Sequence, residues 1–135
     1  HLNLYIVEQL PVIPPEHFDR RLGGHLLADF VREQVLYLTY TAADMESFAR
    51  DLGHQGPPFP WDEENRRHRL ARLDALFFNL YGIPRDEAAY MLDQFPIVWE
   101  DDGRRFGRYL TRELILGYMN AVAAGDLDSV VEVSA

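Results

Sequence analysis

The sequence lacks cysteine and lysine throughout its 135 residues. Without cysteine the chain forms no disulfide bond and no thiolate metal site, a composition typical of the reducing cytoplasm, where we expect it to work. No apolar run approaches the roughly 20 residues of a transmembrane helix, so we expect no membrane contact. All 13 basic side chains are arginines, whose planar guanidinium suits phosphate groups and guanine edges.

The usual motifs of catalysis and nucleotide binding are also missing. None of the five histidines belongs to a His-Glu-x-x-His pair, and no serine lies in a Gly-x-Ser-x-Gly turn. There is no Gly-x-Gly-x-x-Gly or phosphate-binding loop. The acidic stretch 99–103 could hold a hard cation, but a solvated turn is the simpler interpretation. We therefore predict no catalytic, cofactor-binding or metal-binding residue in this chain.

The overall charge is acidic. The chain carries 22 acids against 13 bases, a net charge of -9, whereas a domain that binds duplex DNA by itself is usually basic. Its length and its 47% of apolar residues suffice for one hydrophobic core.

The first 15 residues predict a strand followed by a proline-rich exit segment. Residues 2–7 (LNLYIV) are apolar and rich in strand formers, and three prolines follow within five positions. This strand would pair either with a sheet in a preceding region or with residues 95–100. Because the sequence opens on such a strand at His1 rather than on a methionine, we expect it to be a fragment of a larger protein.

The remaining pattern predicts a mostly α fold, with about four main helices plus the short N-terminal strand. The helical domain covers 16–125, and the tail 126–135 is predicted to be frayed. A capping pair at Thr41 and Asp44, and a cap at Thr111, are expected to begin two of the helices. Residues 97–109 are predicted to be irregular or a small hairpin. The helical stretches are 25–42, 45–53, 62–82, 84–95 and 112–124.

Arginines cluster near residues 104–112, with aromatic residues between them. Arginine beside aromatic rings is typical of a nucleic-acid contact surface, because the charge binds phosphate and the ring packs or stacks. The alternative is that these arginines pair with Glu100, Asp101, Asp102 and Glu113. The predicted DNA-binding residues are Arg104, Arg105, Phe106, Arg108, Tyr109 and Arg112.

Two further patterns have a plain structural interpretation. A second arginine group, Arg66, Arg67, Arg69 and Arg72, follows three acids and predicts an ion-paired solvent face. The short corner after Tyr81 fits a helix-turn-helix loosely. The second helix would then present Asp86 and Glu87 to phosphates, so a packing corner is the better interpretation.

Three stretches together resemble the C-terminal region of bacterial adenine-specific DNA methyltransferases and type II-like restriction-modification enzymes. They are QLPVIPP (9–15), LDALFFNLYGIPRDEAAYMLDQFPIV (73–98) and FGRYLTRELIL (106–116), in this order along nearly the whole chain. The resemblance implies an upstream methyltransferase domain that binds S-adenosylmethionine, and a target recognition domain that this chain follows and supports. The Asn-Pro-Pro-Tyr type catalytic motif of that family is absent here.

The predicted function is that of a non-catalytic C-terminal segment of such a protein. Its partners would be the upstream domains and, through the parent protein, double-stranded DNA. The alternative is a helical protein-protein interaction module of a phage-defence complex, which would expose a large apolar patch and show no salt-dependent affinity for DNA.

Overall fold

The computed structural model describes residues 18–41 and 45–133, which form a two-stranded hairpin and six helices. The predicted mostly α class is confirmed, while the predicted strand at 2–7 and the cap residue Asp44 lie outside the described residues. Among these residues, no helix combines the length and apolar character needed to cross a bilayer. The strands are β1 (Arg21–Leu22) and β2 (His25–Leu26); the helices are α1 (Leu27–Thr39), α2 (Glu46–Asp51), α3 (Glu63–Leu80), α4 (Arg85–Leu92), α5 (Pro96–Phe106) and α6 (Leu110–Ala123).

The hairpin turns at two consecutive glycines. Gly23 and Gly24 have φ of 55° and 84°, the positive values that both central residues of a type I′ turn require. The strands pair antiparallel, with Arg21 opposite Leu26. Helix α1 follows β2 directly, so it begins two residues later than the pattern predicts.

The core lies mainly between α3 and α6. Leu73, Leu76 and Phe78 of α3 are fully buried, as are Ile115 and Tyr118 of α6. Leu27, Phe30 and Leu38 place one face of α1 against the same cluster, as their three- and four-residue spacing predicts. A smaller cluster of Leu36, Tyr40 and Ala49 holds α2 and the following loop.

The corner after α3 is a packing element. Gly82 has a φ of 71°, the left-handed conformation that ends a helix, and α4 begins just after Pro84. Ala88 and Leu92 are buried in the core. Arg85, the only basic residue of α4, donates from Nε to the carbonyl oxygen of Leu116 at 3.3 Å. Helix α4 is thus held against α6.

The prediction for residues 97–109 was wrong, because Pro96–Phe106 is a helix. Pro96 stands in the first turn, where its missing N–H costs nothing, and Gly107 ends the helix with a φ of 72°. The sequence interpretation used Pro96 only to end the previous helix, which in fact stops at Leu92. A helical 96–100 also removes the expected strand partner for residues 2–7.

The cap predicted at Thr111 was also wrong. Helix α6 begins at Leu110, so Thr111 already lies in its first turn, and its backbone N–H donates to Oδ2 of Asp102 at 2.6 Å. Asp102 is buried at the end of α5. A carboxylate from the preceding helix therefore satisfies a free amide of α6, as a local cap residue usually does.

We expect Asp102→Ala to lower the free energy of unfolding by about 1–2 kcal/mol, the usual effect of removing a helix cap. Thr111→Ala is the matched control, since Thr111 offers only its backbone N–H, which alanine retains. Urea unfolding of both variants measures the difference. A larger decrease in the free energy of unfolding for Thr111→Ala than for Asp102→Ala would contradict the role of Asp102 as the cap.

The tail 126–133 has no regular secondary structure, yet the prediction that it frays does not hold for these residues. Leu127 is buried, and Val131 and Val133 pack against the core. Oδ1 of Asp126 accepts from the N–H groups of Asp128 and Ser129 at 2.9 and 3.0 Å. Hydrogen bonding to the Ser129 side chain, followed by these two backbone hydrogen bonds, lowers the pKa of Asp126 to about 2. The apolar residues of the tail cover a core surface that only the fold brings beside them.

Candidate functional site

A cleft of about 500 Å³ separates α3 from α5. Helix α5 packs on α6 rather than on α3, which leaves space between them above α6. The residues of α3 that line the cleft recur at three- and four-residue steps and so share one face of that helix. They are Glu63, Arg66, Arg67, Leu70, Ala71 and Asp74; Ile97, Val98, Asp101, Asp102, Arg104, Arg105 and Phe106 of α5 face them.

Asp74 is the most unusual side chain of the cleft wall. It is buried, and its Oδ1 has no hydrogen-bond partner among the described residues. Burial raises the pKa of the Asp74 carboxyl to about 8, so the group is mostly protonated at neutral pH. A protonated carboxyl presents one donor and one acceptor to any group that enters the cleft.

Arg66 is the second buried polar group of this wall. Its guanidinium lies over the ring of Trp61, 3.9 Å from the ring centroid. Nη2 donates to the carbonyl oxygen of Leu38 at 3.0 Å, whereas Nη1 is buried without a hydrogen-bond partner. The carbonyl and the indole hold the guanidinium in place and leave part of its donor capacity unused.

Phe106 lies between two arginines at the mouth of the cleft. The guanidinium carbons of Arg67 and Arg105 are 4.7 and 5.0 Å from its ring centroid. Arg105 also reaches across to α3, with Nη2 3.8 Å from Oε2 of Glu63. The mouth therefore combines positive charge from both helices with one aromatic face.

The structure brings three of the six predicted DNA-binding residues together at this mouth. Arg104 and Arg105 are exposed, and both lie near Asp101, at 3.3 and 3.5 Å. With Phe106 they line one cleft, to which Tyr109 also contributes. Ion pairs between exposed groups contribute only about 0–1 kcal/mol, so a phosphate can replace Asp101 as their partner at small cost.

The other three predicted residues have structural contacts. Arg108 donates to both carboxylate oxygens of Glu113 at 2.7 and 2.9 Å, and Nε of Arg112 is 3.1 Å from Oδ1 of Asp93, an ion pair without hydrogen-bond alignment. The hydroxyl of Tyr109 donates to the carbonyl oxygen of Leu92 at 2.7 Å, and burial raises its pKa to about 12. Tyr109 and Arg112 thus hold the start of α6 against the end of α4, and Arg108 binds α6 from the short segment that follows α5.

The second arginine group is not the ion-paired solvent face that its spacing predicts. Arg66 and Arg72 are buried. Arg69 lies over the ring of Tyr37 and donates to Oε1 of Gln34 at 3.0 Å, while Arg72 donates to the carbonyl oxygen of Ser129. Because α3 is central to the fold, its arginines meet carbonyls and aromatic rings rather than carboxylates.

The acidic stretch 99–103 is helical rather than a solvated turn. Its two aspartates have different partners. Asp101 pairs with arginines of α5, whereas Asp102 accepts a hydrogen bond from the first turn of α6. Within 18–41 and 45–133, no three histidine, aspartate or glutamate side chains are grouped so that they could hold a metal ion.

Large apolar side chains are exposed around α4 and α5. Tyr90, Ile97 and Trp99 retain 69%, 77% and 52% of their accessible surface. Ile97 lines the cleft, whereas Trp99 lines a second groove with Asp93, Tyr109 and Arg112. Ile97 and Trp99 therefore border two neighbouring grooves, which share Tyr109.

Sequence reasoning missed Asp74 and Arg66. Asp74 follows Leu70 by four residues and precedes Phe77 by three, which places an acid within the predicted apolar stripe of α3. That position is a usable signal. No comparable signal marks Arg66, since only the fold brings Leu38 and Trp61 to it.

Comparison with known proteins adds no further identification. No family model matches the chain, and neither curated proteins nor solved structures provide a match. The resemblance to DNA methyltransferases therefore stays a prediction, and the cleft itself carries the functional argument.

Proposed function

We propose that this chain is a non-catalytic C-terminal segment of a cytoplasmic DNA methyltransferase or restriction-modification protein, where it supports the target recognition domain and contacts DNA phosphates. The observation that carries the DNA contact is Phe106 between Arg67 and Arg105 at the cleft mouth. Guanidinium groups beside a half-buried ring suit a sugar-phosphate backbone. By the resemblance, catalysis and S-adenosylmethionine binding belong to the upstream domain, and we assign neither to residues of this chain.

The predicted arginines differ in how available they are to bind phosphate, because their exposure and their carboxylate partners differ. The Arg104 side chain is 78% exposed, with one aspartate partner at 3.3 Å, whereas Arg108 is 25% exposed and bound to Glu113 through two hydrogen bonds. A bidentate pair is the stronger one, and its arginine is held in a fixed direction. Arg104 and Arg105, with Arg67 beside them, are therefore the proposed DNA contacts.

The test is the salt dependence of binding to duplex DNA by the 135-residue chain. Each lost phosphate contact lowers the slope of log K against log salt concentration by about 0.9. We expect the double variant Arg104→Ala/Arg105→Ala to lower that slope by about 1.8 and to weaken binding equally for unrelated sequences.

The matched control is Arg32→Ala/Arg50→Ala. Both control arginines are exposed and pair with an acid of the same helix, at 3.3 and 2.6 Å, so the change in net charge is identical. An equal decrease of the salt slope in both double variants would show that duplex binding depends only on the overall charge of the chain. Duplex binding without salt dependence, or no binding at all, would overturn the proposed DNA contact.

The second candidate function is a helical protein-protein interaction module of a defence complex. Exposed Tyr90, Ile97 and Trp99 favour it, because interfaces are enriched in such aromatic and apolar residues. The same titration separates the two functions, since a protein-docking module has no reason to bind DNA in a salt-dependent manner.

A further inference from the structure

The cleft contains two buried polar atoms without partners. Oδ1 of Asp74 and Nη1 of Arg66 are both shielded from solvent, and both residues stand on the face of α3 that lines the cleft. A buried polar atom without a hydrogen bond lowers the stability of the fold by about 1–3 kcal/mol, so the presence of two such atoms requires an explanation. A bound molecule that offers both donors and acceptors would satisfy the two atoms.

Between these atoms and the mouth, the cleft also has apolar walls. Leu70 and Ala71 of α3 face Val98 of α5, with Ile115 of α6 at the base. A volume of about 500 Å³ lies within the range of small-molecule sites, about 300–1,000 Å³. Walls of this kind suit a flat ring whose polar edge points toward Asp74.

The mouth favours an anion. Arg67, Arg104 and Arg105 stand there beside Glu63 and Asp101, while the third lining acid of this part, Asp102, is buried and hydrogen-bonded to α6. A simple amine would meet these arginines before it reached Asp74. The ligand therefore needs a polar ring for the inner end and an anionic group for the mouth.

A nucleotide meets both requirements. We propose that this cleft binds a single nucleotide, with its base beside Asp74 and its phosphate at Arg104 and Arg105. The nucleotide could be free or an unpaired residue of a nucleic-acid strand, since both present the same base and phosphate. This inference rests on the proposed function for its phosphate contacts, while the contact with Asp74 is independent of duplex binding.

The test is calorimetric titration of the intact chain with AMP, CMP, GMP and UMP, and with ribose 5-phosphate and adenosine as truncated probes. We expect at least one monophosphate to bind ten-fold or more tightly than either truncated probe, because each of these lacks one of the two contacts. We also expect Asp74→Ala to weaken that monophosphate about ten-fold, the effect of about 1.4 kcal/mol from one lost hydrogen bond. The affinity for ribose 5-phosphate should not change.

Two further variants separate a binding role of Asp74 from a structural one. Asp74→Asn keeps a donor and an acceptor of the same shape and should restore much of the monophosphate affinity. Glu64→Ala removes an exposed acid of α3 that does not line the cleft and should leave the affinity unchanged. Monophosphate affinity that is equal in the parent chain and in folded Asp74→Ala would overturn the proposal.

Parallel titrations with a single-stranded oligonucleotide and with duplex DNA identify the source of the nucleotide. Asp74-dependent binding of the oligonucleotide without binding of monophosphates would support the site. It would also show that the bound nucleotide is an unpaired residue of a nucleic-acid strand. Duplex binding with no Asp74-dependent ligand would overturn this inference and leave the proposed function standing. Asp74-dependent monophosphate binding without duplex binding would support the nucleotide site and overturn the proposed function.

Discussion

Asp74→Asn is expected to stabilise the protein by several kcal/mol at pH 9 and by much less at pH 5. The cause is the burial of the Asp74 carboxyl, which raises its pKa from 3.8 to about 8 in the folded protein. Asparagine has nearly the same shape but does not ionise, so the variant avoids the cost of a buried charge.

The sign of the effect follows from proton linkage. Between pH 4 and 8 the folded protein retains the Asp74 proton, whereas the unfolded chain has lost it. The free energy of unfolding therefore falls by about 1.4 kcal/mol per pH unit across this window. The total is on the order of 5 kcal/mol, comparable with the whole stability of many small domains. Above pH 8 both states are ionised and the loss levels off.

Urea unfolding of both proteins at pH 5, 7 and 9 measures this effect. The difference between variant and parent isolates Asp74, because every other titrating group is common to both. Asp29→Asn makes the same chemical change at an exposed position of α1. The difference in the free energy of unfolding between this variant and the parent should not grow comparably with pH. Parallel stability profiles for Asp74→Asn and the parent would mean that Asp74 ionises freely in the folded protein.

The second large effect is expected for Gly23→Ala, at about 3 kcal/mol or more of lost stability. A Cβ at position 23 would lie against the backbone carbonyl oxygen of Gly125, far inside contact distance, and 3.3 Å from its carbonyl carbon. No side-chain rotation relieves contact with a backbone atom. The hairpin would have to move away from the end of α6, and crowding of this kind adds to the strain of a positive φ.

Gly24→Ala is the matched control for Gly23→Ala. Gly24 also has a positive φ, 84°, but a Cβ there meets no atom within 4 Å. This variant should lose only about 1–2 kcal/mol, the cost of the left-handed conformation for alanine. Thermal and urea unfolding of both variants give the comparison, and equal losses would show that the contact with Gly125 is easily relieved.

The helices that were predicted well have ends that are marked by residues close to them in the sequence. The stretch 62–82 contains α3 because an acidic first turn, a regular apolar stripe and Gly82 all mark it locally. Helix α5 was missed for the opposite reason. The sequence interpretation used Pro96 only as the end of the previous helix, Gly103 interrupts the segment, and the apolar residues 97–99 are consecutive rather than spaced at three- and four-residue steps.

The site was predicted in part. Arginines beside Phe106 could be found from the sequence alone, and four of the six predicted residues line one cleft. The carboxylate partners of Arg104 and Arg108 lie within five residues of them, but the partner of Arg112 lies outside the cluster. Asp93, 19 residues before Arg112, shows why spacing within the cluster could not identify every partner.

By itself, the sequence determined the helical class, most helix positions and the arginine-only basic surface, because periodicity, capping residues and composition act locally. Only the tertiary structure decided that α5 packs on α6 and stands apart from α3. That arrangement opens the cleft and places Asp74 at a buried position in its wall. Burial also sets the charge of Asp74, since the free energy of ionising a carboxyl depends on how much water the surrounding helices exclude.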